Sequence, residues 1–154
     1  MEDILYCGYQ ASHSVNADEY GMAVIQTLCE QGHVTTGSKT HPMTYGGLYF
    51  LSGEEGYSLA PQDEKSFKCN SIAVSAGFMR DISEMLECPD EIDSIFSAGG
   101  YYVPVKNYKT IDERFGRMAS AYTSGKSFSK ALIVADLLQL INYAVYTQSM
   151  KLNS

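Results

Sequence analysis

Gly46-Gly47-Leu48-Tyr49-Phe50-Leu51-Ser52-Gly53-Glu54-Glu55-Gly56-Tyr57-Ser58-Leu59 is the most informative stretch of this sequence. A glycine pair allows a sharp turn, four consecutive apolar or aromatic residues suit a short buried strand, and Gly53 and Gly56 bracket a polar tip at Glu54 and Glu55. The pattern predicts a hairpin: one strand, a glycine-rich turn and the start of a second strand.

The flanks continue in the same style. Upstream, Tyr20 to Cys29 is rich in β-formers, Glu30-Gln31-Gly32-His33 supplies a turn, and the threonine-rich run Val34 to Thr40 pairs back as a solvent-facing strand. His41-Pro42 breaks that strand, because proline removes a ladder donor and restricts its predecessor. Downstream, Ala60 to Lys65 is a surface turn, and Phe67 to Phe78 alternates loosely as a further strand. Residues 17–78 therefore read as a small β-barrel or jelly roll. The preceding residues, Met1 to Asn16, lack any sustained period and read as an extended arm holding one short strand at most.

Beyond Phe78 the period lengthens to that of a helix. Phe78, Ile82, Met85 and Leu86 define an amphipathic helix over Met79 to Glu87, and Pro89 opens a second whose apolar face is Ile92, Ile95 and Phe96. Gly99-Gly100 ends it. Tyr101 to Val105 is extended, and Pro104 assigns it to a sheet edge, so residues 79–108 form a helical insert with an edge strand. Thr110-Ile111-Asp112-Glu113 has capping-box spacing and starts a helix running to about Thr123, where Gly125 stops it. The final helix, about Phe128 to Met150, carries two adjacent apolar rows: Ile133, Leu137, Leu140, Ala144, and Val134, Leu138, Ile141, Val145. That stripe is wider than one barrel face needs. Ile133, Leu137, Leu140, Ile141 and Ala144 are therefore the candidate homodimer interface within residues 109–150; the alternative is that the preceding helix covers both rows.

A chain of 154 residues fits one domain. With 11 Lys plus Arg against 18 Asp plus Glu, its net charge of -7 repels a phosphate backbone, so this chain is not expected to bind DNA itself. There is no run of about 18 apolar residues and no basic leader, which points to a cytoplasmic protein without membrane contact. Cys7, Cys29, Cys69 and Cys88 are widely spaced, without Cys-x-x-Cys, and read as buried free thiols. Twelve tyrosines and no tryptophan suit a pocket, an interface or a partly wet core.

Chemistry-bearing constellations are scarce. The three histidines, His13, His33 and His41, do not cluster in sequence, no serine sits in Gly-x-Ser-x-Gly, and neither glycine pair has dinucleotide or P-loop spacing. The chain is read as a non-enzyme with no cofactor and no metal. Tyr20, Tyr45, Tyr49 and Tyr57 are candidates to line a cavity for a small polar organic ligand, with Tyr49 and Tyr57 preferred. Arg80 is a candidate clamp for an anionic ligand, against the simpler reading that it reaches to solvent.

The opening stretch, taken in frame, resembles the second conserved motif of cupin barrels as it occurs in the sensor domains of AraC-type transcription regulators. Tyr57 stands where that motif usually carries histidine, and the histidines of the first motif would fall near Asn16 and Asp18. The resemblance runs from the Tyr20 strand to the helix ending near Met150, and it implies a cupin-like double-stranded β-helix followed by two to four helices, mainly β with α at the C-terminus. It further implies a small-molecule effector bound in the barrel, an arm able to close over it, a homodimer formed by the last helices, and DNA contact only through a separate basic domain with a pair of helix-turn-helix units. The chain would then be the sensor part of a longer regulator or a stand-alone relative. The replaced histidines count against the alternatives, a small cupin isomerase or dioxygenase; a stand-alone small-molecule-binding module is the remaining one.

Overall fold

The computed structural model describes residues 3–10 and 21–152. Tyr20, Asn16 and Asp18 lie outside the described residues, as does the second half of the arm. Along the described residues run β1 (Ile4–Gln10), β2 (Gly21–Thr27), β3 (Gly32–Thr36), β4 (Thr40–Pro42), β5 (Leu48–Ser52), β6 (Tyr57–Pro61), a 3-10 turn (Glu64–Ser66), β7 (Cys69–Ser75), α1 (Ala76–Met85), α2 (Pro89–Phe96), β8 (Tyr101–Val103), α3 (Tyr108–Ser124) and α4 (Ser129–Leu152). Helical residues outnumber strand residues among those described, so "mainly β" gives way to a mixed architecture.

Two antiparallel sheets carry it. One has the order β1-β7-β2-β5-β8 and the other β4-β3-β6. The expected hairpin does not form, because β5 and β6 belong to different sheets: β5 pairs with β2 and β8, and β6 pairs with β3. Both edges of β5 are occupied, which leaves β6 nothing to pair with there. Instead the Gly53 N–H bonds back to the Gly21 carbonyl at 2.8 Å, and Gly56, at a φ of +76°, turns the chain out of the first sheet. The stretch is a corner between sheets.

Similar nonlocal pairing corrects the run Val34 to Thr40. It splits at Gly37 to Lys39 into β3 and β4, which pair with each other, and the other edge of β3 pairs with β6 rather than with β2. His41 and Pro42 sit within β4, an edge strand, where a missing ladder donor is tolerated. Part of the arm belongs to the body, since β1 pairs with β7 and buries Ile4 and Cys7. β8 lies at a sheet edge, next to Pro104.

Strand alternation sorts the core into two layers. On β5, Leu48 and Phe50 face the helices together with Val24, Ile72 and Val74, whereas Tyr49 and Leu51, with Ile25, face the second sheet and share a cluster with its Val34 and Leu59 and with Phe67. The first sheet is thus covered on both faces. α3 packs over β1 and β7, α2 over β5, and α4 lies along α3 and α2 and reaches β8.

Helix boundaries and faces follow from this covering. α1 starts at Ala76, where the Ser75 hydroxyl accepts the Phe78 N–H at 3.2 Å, and it buries Met79, Ile82 and Ser83; Met85 and Leu86, expected inside, are exposed. α3 begins at Tyr108 without a side-chain cap, so the capping box at Thr110 is not used. Ile111, Phe115 and Met118 do form its buried face, and Gly125 ends it in the left-handed conformation.

On α4 the expected interface is corrected. Ile133, Leu137, Leu140, Ile141 and Ala144 are at most 1% exposed and belong to the core between the helices and the first sheet. They meet α3 and the sheet because the helical layer must cover a full sheet face, which consumes the wide stripe.

Candidate functional site

Two of the connections that carry the chain between sheets meet at one end of the molecule. Leu28 to Gln31 leads from β2 to β3, Gln62 to Lys68 leads from β6 to β7, and the Gln62 N–H bonds to the Gln31 carbonyl at 3.0 Å. They frame an open pocket of about 540 Å3 with Leu28, Cys29 and Tyr45 as its apolar and aromatic wall and Glu30, Gln31, Gln62, Asp63 and Ser66 as its polar one. Tyr45 stands exposed, its ring edge-on to Tyr108 at 4.9 Å. Gly46, which follows it, has a φ of +83°, and a Cβ there would run into the Cβ of Tyr108. The glycine pair therefore sets the position of Tyr45.

The other predicted ligand residues are not brought to this pocket. Tyr49 is fully buried between the sheets, its hydroxyl donating to the Pro42 carbonyl at 2.6 Å and accepting the Thr44 N–H at 3.1 Å, with its ring stacked on Tyr102 at 5.1 Å. Burial raises its phenol above the ordinary value, so it stays neutral, and its polar tip is already used by the chain. Tyr57 is half-buried on β6, packed against the inter-sheet core. Arg80 is exposed on α1 beside a separate pocket that Glu54, Asp90 and Asp93 also line, an acidic setting that disfavours an anionic ligand. Tyr20 lies outside the described residues.

Sequence reading missed two features. Asp136, buried between α3 and α4, accepts from Arg114 Nη1 at 3.1 Å and from Arg117 Nη2 and Nε at 2.9 and 3.1 Å. It is the lone acid of α4, amid apolar rows, and a buried carboxylate requires such partners. The other is the sulfur chemistry behind the pocket wall. Cys29 Sγ–H donates to Met43 Sδ at 3.0 Å, and burial pushes the Cys69 thiol up to about 12.

Among the described residues no three His, Cys, Asp or Glu side chains converge as a metal site of those ligand types would require. Among them, too, no helix is long and apolar enough to cross a membrane. Compared with known protein families, the chain matches none, and no curated protein is significantly similar to it.

Proposed function

We propose that this chain is a dimerising sensor domain of the AraC regulator type, in which two copies meet through the outward face of α4 and a small-molecule effector binds at the pocket beside Tyr45. The observation that carries the reading is the surface of α4 and its lead-in. Phe128, Leu132, Tyr143, Tyr146 and Met150 recur at helical spacing and are 37–62% exposed, opposite the rows that fill the core. α4 has no charged residue between Leu137 and Met150. Two copies of a chain at net charge -7 repel each other, and an aromatic surface to which α4 contributes no charge over residues 138–149 is where they can approach most easily. A second copy is therefore the occupant, through a self-complementary contact.

The nested pairing of β2 with β7 and β3 with β6 supports the cupin-like part of the reading. Because the inter-sheet space is filled by Ile25, Met43, Tyr49, Leu51 and Phe67, the effector site moves from the barrel interior to its mouth. An effector preferring one arrangement of the mouth would shift the packing passed through the first sheet to the helices. In this reading DNA is contacted by a separate basic domain, and the chain has no catalytic role.

Sedimentation velocity at tens of micromolar tests the assembly. The natural chain is expected to run as a dimer, and Leu132→Glu/Tyr146→Glu as a folded monomer. A natural chain that stays monomeric, or a double variant that still dimerises, would end the proposal.

A further inference from the structure

We infer that Cys29, Met43 and Cys69 form a binding site for a thiophilic d10 metal ion of the copper(I) or mercury(II) type, reached from the pocket beside Tyr45. This site stands independently of the assembly reading. Three observations place the sulfurs together. Cys29 Sγ lies 3.0 Å from Met43 Sδ. Thr27 is the ladder partner of Cys69, and the next rung continues with the Leu28 N–H on the Lys68 carbonyl at 2.8 Å. Cys29 lies two residues beyond the end of β2, where continuation of that ladder makes it a diagonal neighbour of Cys69, a separation of about 7 Å between Cβ atoms that two sulfurs close around one ion at about 2.3 Å each. All three residues belong to the same inter-sheet core cluster. Of them Cys29 is 8% exposed and lines the pocket, which provides the entry path.

Ligand chemistry selects the ion. Two thiols and a thioether suit soft cations, whereas zinc seeks a fourth ligand and hard ions seek oxygen. An apolar surrounding favours a neutral complex. Mercury(II) therefore binds as a dithiolate, with two S–H bonds exchanged for two S–Hg bonds and two protons released to solvent. Copper(I) binds through one thiolate, one thioether and one thiol, and releases one proton.

The full chain, reduced and oxygen-free, is titrated separately with mercury(II), copper(I) and zinc(II), then desalted and assayed for bound metal and protons released. One equivalent of each soft ion is expected on the natural chain and on Cys88→Ala, with two protons per mercury and one per copper, and no zinc retained. Cys29→Ala should weaken retention by about tenfold or more, and the volume-conserving Met43→Leu should do so for copper(I). Metal should also protect Cys29 from alkylation, read by peptide mass. Retention unchanged in folded Cys29→Ala, retention that follows Cys88, or a Met43→Leu variant with natural affinity for copper(I) would overturn the site.

Discussion

Leu137→Ala is expected to lower the unfolding free energy by about 3 kcal/mol, read as a shifted urea midpoint at constant slope, while leaving the oligomeric state unchanged. Leu137 is 1% exposed, and it shares a cluster with Phe115 and Met118 of α3 and Phe50 of β5. Removing its terminal isopropyl group loses the transfer free energy of that group and leaves a cavity among helices that are also held by the bonds of two arginines to Asp136. A residue on an assembly surface behaves in the opposite way: truncation there weakens association with little effect on the fold. A loss below about 1 kcal/mol combined with dissociation would return Leu137 to the interface.

Phe50→Ala carries the largest expected loss, about 4 kcal/mol. Phe50 is fully buried at the centre of β5, with its ring edge-on to Phe96 of α2 at 5.8 Å. Its surroundings have little room to collapse into the space. The turn at Gly100, at a φ of +72°, lies so close that a Cβ there would strike the Phe50 carbonyl oxygen, and His41 and Glu55 hold the neighbouring Gly99 through its carbonyl and N–H at 2.8 and 2.7 Å. Chemical denaturation monitored by circular dichroism measures the loss. A value below about 1.5 kcal/mol would mean that the helices do not close tightly on the first sheet.

Local signals were legible where the physics is local. Proline at the start of α2, Gly125 after α3, and the apolar faces Ile92, Ile95, Phe96 and Ile111, Phe115, Met118 all depend on residues within one helix, and they stand as read. Strand partners depend on distant segments. The residues 48–51 announce a buried strand, but nothing within them says that β2 and β8 occupy both its edges, and so a corner passed for a hairpin. The width of the α4 stripe was legible as well, yet a wide stripe is equally served by a second copy or by a sheet that needs covering. Its solvent-facing aromatics, Tyr143 and Tyr146, lie outside both apolar rows, so the row pattern does not report them.

Site residues divide in the same manner. Tyr45, one of the four candidate tyrosines and not a preferred one, lines a pocket between the sheet connections rather than a barrel cavity. Tyr49 was misjudged because alternation shows that it points into the core but not that Pro42 and Thr44 return to bond its hydroxyl. Cys29, Met43 and Cys69 are brought together by the β2–β7 ladder and the return of the chain at Met43, which no spacing rule reports.

The arrangement of layers rests on the Gly53 to Gly56 corner, and an engineered disulfide reads it directly. Thr35 of β3 and Ser58 of β6 are ladder partners with outward side chains, within disulfide range in either type of antiparallel pair. Thr35→Cys/Ser58→Cys is expected to form an intramolecular bridge on mild oxidation of the folded protein, seen by mass after proteolysis. Tyr49→Cys/Ala60→Cys, which a hairpin would align, is expected to remain reduced, because Tyr49 pairs with Ile25 and Tyr102 while Ala60 pairs with His33. Bridging of the second pair without the first would contradict the two-sheet corner and the layer order built on it.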